Sequence, residues 1–378
     1  WNTCVVGGAG TTAMALGEEH PESGRILEHA VDLMDKYGSV LGDEGEFNES
    51  VGYSGSMNLP VQFHAAYRYH TRGEENRLAE SPYPEFCRWY MYFVRPPDRV
   101  APFGDCHLDS PPMTAIYPAM AAANRDGVFQ WFYANYSVPG HRSNPALELL
   151  TYDDTVEPVS PEGRLPHGRA FIAHSANWSS RTGWDSDSTP SLVYGKGGHG
   201  REGHGNHDAG QVCIDAFGED LIVDLGPPKP SYPRGFFGPD RWEYYEASVR
   251  GHNVLMFGGR EMRSGEEDRA EIIGSEFDDE SGGWWQGDMA GLYDGATLVR
   301  RTVVHLYPTV VAVLDEAELE EPDAISLRWH TADRSEPDRS GRFTVESNGV
   351  RLAAMVSRLD GGEEMFARRE HDHKPPFN

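Results

Sequence analysis

Residues 24–41 place Ile26, Leu27, Ala30, Val31, Met34 and Tyr37 on one face at a helical period. The same grammar predicts helices over 2–17, 57–72, 83–95 and 112–136, separated by breakers such as Gly42-Asp43-Glu44-Gly45 and Pro96-Pro97-Asp98. Antiparallel helix pairs joined by short loops would account for this half. After about residue 165 the pattern changes to short β-branched runs closed by Gly, Asp and Pro. Examples are Ala170–Ala173, Ser191–Tyr194, Val212–Ala216, Leu221–Val223, Asn253–Phe257, Val299–Leu306 and Thr309–Leu314. Such runs, without helices between them, predict antiparallel sheets in a sandwich. The expected organisation is a helical part over 1–150, a linker over 151–166 and a sheet part over 167–378. Acidic clusters at 42–49, 276–280 and 317–323 read as solvated loops.

Composition narrows the class. The 378 residues leave room for two domains, and no apolar run reaches the length of a membrane span. Sixty Asp and Glu against 33 Lys and Arg give a net charge of −27. A phosphate backbone would be repelled by most of such a surface, which argues against nucleic acid as a partner. Only Lys36, Lys196, Lys229 and Lys374 are lysines; the remaining basic residues are arginines. That bias fits adaptation to high salt, and a GC-rich genome would give it equally. Cys4, Cys87, Cys106 and Cys213 stand far apart with no C-x-x-C pair, which argues against a disulfide framework and a cysteine-rich zinc site. The chain begins at Trp1 inside a helical segment, as a piece of a longer protein would.

The informative chemistry lies early in the sheet part. Histidines crowd the glycine-rich run Gly-His199-Gly-Arg-Glu-Gly-His204-Gly-Asn206-His207-Asp208. Asp224 ends the apolar run Leu-Ile-Val-Asp, and His252 follows in Gly-His252-Asn253-Val-Leu-Met. Glycine spacing lets imidazoles approach a common point. Two or three histidines with one carboxylate suit Zn²⁺ or a similar divalent ion. The plainer alternative is an exposed flexible loop with Asp224 opening a turn.

Read together, His-Gly-Asn-His-Asp-Ala-Gly-Gln, Val-Asp-Leu-Gly, Arg241-Trp242-Glu243-Tyr244-Tyr245 and Gly-His-Asn-Val-Leu resemble the heparinase II/III-like polysaccharide lyases, in the branch of oligoalginate lyases and heparinase II. The likeness extends upstream to Asn48-Glu49-Ser-Val-Gly-Tyr53 and downstream to Leu298-Val-Arg-Arg-Thr-Val-Val. It implies an α+β chain: an incomplete (α/α) toroid followed by an antiparallel β-sandwich. It also implies β-elimination on a uronate polysaccharide or oligosaccharide, with Tyr53 and His204 as the proton-transfer pair. Asp224 and His252 match metal ligands. Where the family usually carries a further histidine ligand this chain has Asn206, with His207 next to it, so either residue is a candidate and imidazole is the better zinc donor. A second tyrosine found in some of these lyases is replaced in Gly235-Phe236-Phe237-Gly238, which cannot donate a proton. Asn2 is the remaining candidate for carboxylate neutralisation, or else a helix cap.

An acidic protein must still accept an anionic sugar. Residues 225–263 carry Lys229, Arg234, Arg241, Arg250, Arg260 and Arg263 against Asp240, Glu243, Glu246 and Glu261. Arg241 heads these candidates for gripping a uronate. Trp242, Tyr244 and Tyr245 could stack on sugar rings, or build the core while the arginines pair with acids. Competing readings are a uronyl C5-epimerase and a non-catalytic carbohydrate-binding protein with a structural metal. A homodimer is compatible with the sequence, and location is open, with secretion or a periplasmic address favoured.

Overall fold

The computed structural model describes residues 1–137, 144–199, 202–227, 232–362 and 365–368. It mixes helix and sheet and packs as two units, one of Trp1–Val94 with Pro111–Leu165 and one of Arg95–Ser110 with Pro166 onward.

The first unit is built from α1 (Asn2–Leu16), α2 (Ser23–Gly38), α3 (Ser50–Tyr53), α4 (Asn58–His70), α5 (Tyr83–Tyr92), α6 (Tyr117–Asn124), α7 (Gly127–Tyr136) and α8 (Pro145–Thr151). The apolar stripe of α2 buries Ala30 and Met34 against Phe63 of α4, with Val6, Met14, Leu27 and Val31 packed around them. Close approach depends on Gly10 of α1: a Cβ there would fall 2.5 Å from the Phe63 ring and 2.6 Å from Ala30. The predicted helix over 112–136 is in fact two. Arg125 turns left-handed, at φ 53°, and Asp126 then caps α7 by accepting the Val128 N–H at 2.8 Å. The unpredicted α8 opens with Asn144, whose side chain accepts the Leu147 N–H, and with Pro145 at its first position.

Where the chain leaves the helices for the second unit, β1 (Val94–Arg95) and β2 (Arg99–Val100) form a short ribbon. A five-stranded antiparallel sheet follows in sequence order: β3 (Gly168–Ala170), β4 (Asn177–Arg181), β5 (Ser191–Lys196), β6 (Val212–Ala216) and β7 (Glu219–Ile222). After β8 (Leu255–Phe257) comes a four-stranded sheet of β9 (Glu271–Asp278), β10 (Gly282–Asp288), β11 (Ala296–Leu306) and β12 (Val310–Leu319), ordered β12-β11-β10-β9. Then β13 (Ile325–Leu327) returns to pair with β8, and β14 (Arg342–Ser347) and β15 (Val350–Met355) make a hairpin.

The two larger sheets share one apolar cluster. It joins Trp178, Val193 and Val212 of the five-stranded sheet to Trp285 and Val303 of the four-stranded one. Trp178 and Trp285 stack with centroids 5.5 Å apart and planes at 18°.

Strands β4 and β5 are buried on both faces, and the Arg95–Ser110 segment covers the second face. Phe103 packs on Tyr194 with ring centroids 5.6 Å apart. The fully buried Arg95 pairs with Asp215 at 3.0 Å and with Asp220, and donates to the carbonyls of Val100 and Leu108. Two acidic stretches expected as loops are strand instead: 276–278 ends β9 and 317–319 ends β12. Their acids occupy the outward positions of an alternating strand, where water solvates them without breaking the ladder. No helix among the described residues is long and apolar enough to cross a membrane.

Candidate functional site

The His204–Asp208 loop and the ends of β7 and the turn before β8 bring the sheet-unit candidates close together. His204 sits in a left-handed conformation, φ 55°, a costly backbone state for a residue with a Cβ. Its Nδ1 lies 3.1 Å from Asp105 Oδ2, and its carbonyl accepts the Asp105 N–H at 2.9 Å. Arg241 reaches the same group: one terminal nitrogen donates to Asp105 Oδ1 (2.9 Å), to Gly205 O (2.8 Å) and to Asn206 Oδ1 (3.1 Å). Beneath it the guanidinium carbon lies 4.4 Å from the Phe236 ring centroid. Phe236 is thus a platform for Arg241, and it is buried. Its neighbour Phe237 is exposed and meets His204 edge-on at 5.4 Å.

Three groups converge as a cation site would. Ligand atoms of Asp208, Asp224 and His252 all lie within 4.8 Å of one another, and all three residues are buried. His252 Nδ1 lies 3.2 Å from Asp224 Oδ2, which also accepts from Gln211 Nε2 at 3.1 Å. His252 Nε2 and Asp208 Oδ2 are buried without a hydrogen-bond partner among the described residues. Such orphaned buried atoms are costly unless a ligand completes them. Burial alone would lower the His252 pKa, but the Asp224 and Asp208 carboxylates together outweigh it and the net direction is up. The turn that presents Asp224 requires Gly226, at φ 69°, where a Cβ would strike Cys106 O at 2.5 Å.

Lys196 balances part of this charge. Its ammonium lies 2.9 Å from Glu202 Oε2 and 3.0 Å from Asp208 Oδ1, all of them buried. Burial would lower the lysine pKa, yet Asp208 and Glu202 together push it up. Burial also raises the Glu202 carboxyl, against the pull of Lys196. The lysine's upward direction is the firmer of the two, since two carboxylates share one ammonium. With Lys196 and the three carboxylates ionised and His252 neutral, one cation faces Glu202, Asp208 and Asp224, an excess of negative charge that a divalent ion would neutralise. The donor set therefore fits such an ion.

Sequence reasoning placed the ligands differently. Asn206 gives its Oδ1 to Arg241. His207 turns Nδ1 to Glu261 at 2.9 Å and stacks on Trp242 at 3.6 Å, and it is not among the three converging groups. Asp208, the next residue, is the one that stands with Asp224 and His252. The histidines do not meet at one point: His204, His207 and His252 each pair with a different carboxylate. Asp208 was in view within the His-Asn-His-Asp run, whereas Asp105 and Lys196 carried no local signal.

The remaining candidates are placed as follows. Tyr53 ends α3 in the helical unit and is half-buried. Asn2 is exposed on the first turn of α1, whose cap position is Trp1. In the basic stretch, Arg260 pairs with Asp323 at 2.6 Å and Arg263 with Asp268 at 2.7 Å, so acids outside the stretch offset part of its charge. Lys229 lies outside the described residues. Tyr244 is core, packed with Phe236 and Ala247, while Trp242 and Tyr245 are half-buried.

The heparinase II/III-like C-terminal family profile matches residues 185–374, a span holding His204, Asp208, Asp224, Arg241 and His252. Among solved structures the chain is similar to the heparan sulfate lyase HepC from Pedobacter heparinus, with 14% identity, a TM-score of 0.67, and 91% of this chain covering 50% of that one. A heparinase III gene product shows 14% identity and a TM-score of 0.67 over 89% of this chain and 49% of its own. A further heparinase III structure gives 14% identity and a TM-score of 0.62 over 90% and 51%. At these identities the likeness is one of fold, and the chain spans about half the length of the structures it matches. None of the curated proteins matches the chain.

Proposed function

Because the chain belongs to the heparinase II/III-like family, we propose that it is a polysaccharide lyase acting on uronate-containing chains by β-elimination. The observation that carries this reading is the partly exposed His204, held on one edge by a buried carboxylate, within the family-matched span. A core histidine would be enclosed; a reacting one needs one nitrogen fixed and the ring within reach of substrate.

The reaction asks for three things. The uronate carboxylate must be neutralised so that the C5–H becomes acidic, a task for donors such as Asn2 and Arg241. A base then takes the C5 proton, the freed electron pair becomes the C4–C5 double bond, and the C4–O bond breaks. The departing glycosidic oxygen takes up a proton. Tyr53 and His204 are the proposed pair for these two transfers. Asp208, Asp224 and His252 would hold a divalent ion, with Zn²⁺ the first candidate. Such an ion would lock the three donors together and add positive charge to a site that meets an anion. In this reading the helical unit is part of an incomplete (α/α) toroid and the second unit an antiparallel β-sandwich.

The test is the ultraviolet absorbance of the unsaturated uronate, on a panel of heparan sulfate, chondroitin, hyaluronan and alginate at low and high salt. Heparan sulfate heads the panel because HepC, one of the similar structures, is a heparan sulfate lyase. Absorbance on at least one polymer, abolished by Tyr53→Phe, is the expected result. Silence across the panel would count against the reading. Deuterium entering C5 without chain cleavage would instead favour a C5-epimerase.

A further inference from the structure

We propose that Asp105 is the positioning residue of His204, fixing the imidazole proton on Nδ1 so that Nε2 carries the reactive lone pair. This rests on the lyase reading and deepens it, since it assigns the working atom of the histidine.

Asp105 is well placed to act this way. Its side chain is 1% exposed and its two oxygens are divided, Oδ2 to His204 Nδ1 at 3.1 Å and Oδ1 to Arg241 at 2.9 Å. Its own N–H donates to the His204 carbonyl at 2.9 Å, so backbone and side chain of one residue grip backbone and side chain of the other. An ionised carboxylate can only accept, so the proton in that contact belongs to the imidazole. In the neutral ring, a proton on Nδ1 leaves the lone pair on Nε2. Arg241 ties the following peptide into the same arrangement through Gly205 O.

Buried contacts hold the mounting. Asp105 rides on the Arg95–Ser110 segment, which Arg95 anchors through Asp215, Asp220, Val100 O and Leu108 O. The adjoining residue, Cys106, presses its carbonyl on Gly226 of the Asp224 turn. This clamp holds His204 in its left-handed backbone, and the ring remains 26% exposed by side chain, open to a ligand as a core histidine would not be. A carboxylate that orients an imidazole without taking its proton is an established way of making a histidine work in one direction.

The experiment has two readouts on the full chain. Nitrogen-15 NMR of histidine-labelled protein, with His204→Gln used to assign the signal, reads which nitrogen of neutral His204 bears the proton. The expected result is Nδ1–H in the native chain, with that population falling in Asp105→Asn. On whichever uronate polymer is cleaved, Asp105→Asn should lower kcat about 10²-fold, the low end of what a placed proton-transfer group contributes. KM should stay within about 3-fold, because the loss falls on the transition state. Asp105→Glu should recover part of kcat. Proton on Nε2 in the native chain, or an Asp105→Asn enzyme with native kcat, would overturn the proposal. Should Asp105→Asn not fold, the native tautomer and Asp105→Glu decide. A native chain inactive on every polymer defeats the lyase reading, whereas the tautomer measurement still judges the positioning role.

Discussion

Lys196 holds one oxygen of Asp208 at 3.0 Å and leaves the other, Oδ2, buried without a partner among the described residues. One side of the carboxylate is thus neutralised by protein and the other is turned toward Asp224 and His252. Removing the ammonium would strand Glu202 and Asp208 in the interior. Lys196→Met should therefore cost about 3–5 kcal/mol of unfolding free energy. Urea denaturation with and without added Zn²⁺ measures it, and the ion should recover part of the loss by supplying the missing charge.

Metal content separates the two candidate donor sets. Asp224→Asn and His252→Ala should each abolish stoichiometric Zn²⁺ in calorimetric titration and elemental assay. His207→Ala should retain it, since His207 is not among the three converging groups. For the native chain, free ion at 100 times its Kd should stabilise by about 2.7 kcal/mol. Equal loss in all three variants would return His207 to the ligands.

His305 gives a pH test. It lies buried between the sheets, with Nε2 2.8 Å from Ser191 Oγ and Nδ1 3.0 Å from Ser180 Oγ, and burial lowers its pKa from 6.5 to about 4. Above pH 6.5 the ring is neutral folded or unfolded and costs nothing. As pH falls below that, the unfolded chain takes the proton first, so stability drains away until the folded ring also protonates near pH 4. The contribution reaches about 3 kcal/mol. Chemical denaturation at several pH values should show a shallower acid slope in His305→Gln than in the native chain.

Adjacent tryptophans on β10 should behave oppositely. Trp285 is fully buried and stacks on Trp178, so Trp285→Ala should cost about 3–5 kcal/mol. Trp284 points to the other face and is half-buried, lying against Gly274. Trp284→Ala should cost about 1 kcal/mol. Denaturation midpoints of the two variants are the measurement.

Much of this architecture was legible because burial repeats at the period of the element. The face of α2 that buries Ala30 and Met34, and the run Val212–Ala216 that became β6, both announce themselves locally. Strand β4, Asn177–Arg181, did not: it is polar, and its burial comes from partners far along the chain. Likewise β9 hid behind outward acids. In the site, Asp224 and His252 stood out by motif, but the third converging group was decided by which way residues 207 and 208 face. Asp105 is 99 residues from His204. A contact set by long-range packing leaves no spacing to read.

The passage of Arg95–Ser110 into the sheet unit bears on how such a protein can be taken apart. Because the chain crosses between units at 94/95, 110/111 and 165/166, no single cut separates the two units. A fragment starting after residue 166 would lose the cover of its five-stranded sheet and the carboxylate beside His204 at once. Recombination that swaps only the contiguous second half would import a histidine without its mount. The two units are therefore expected to be inherited, expressed and exchanged together, as one gene segment with no internal point of modular exchange.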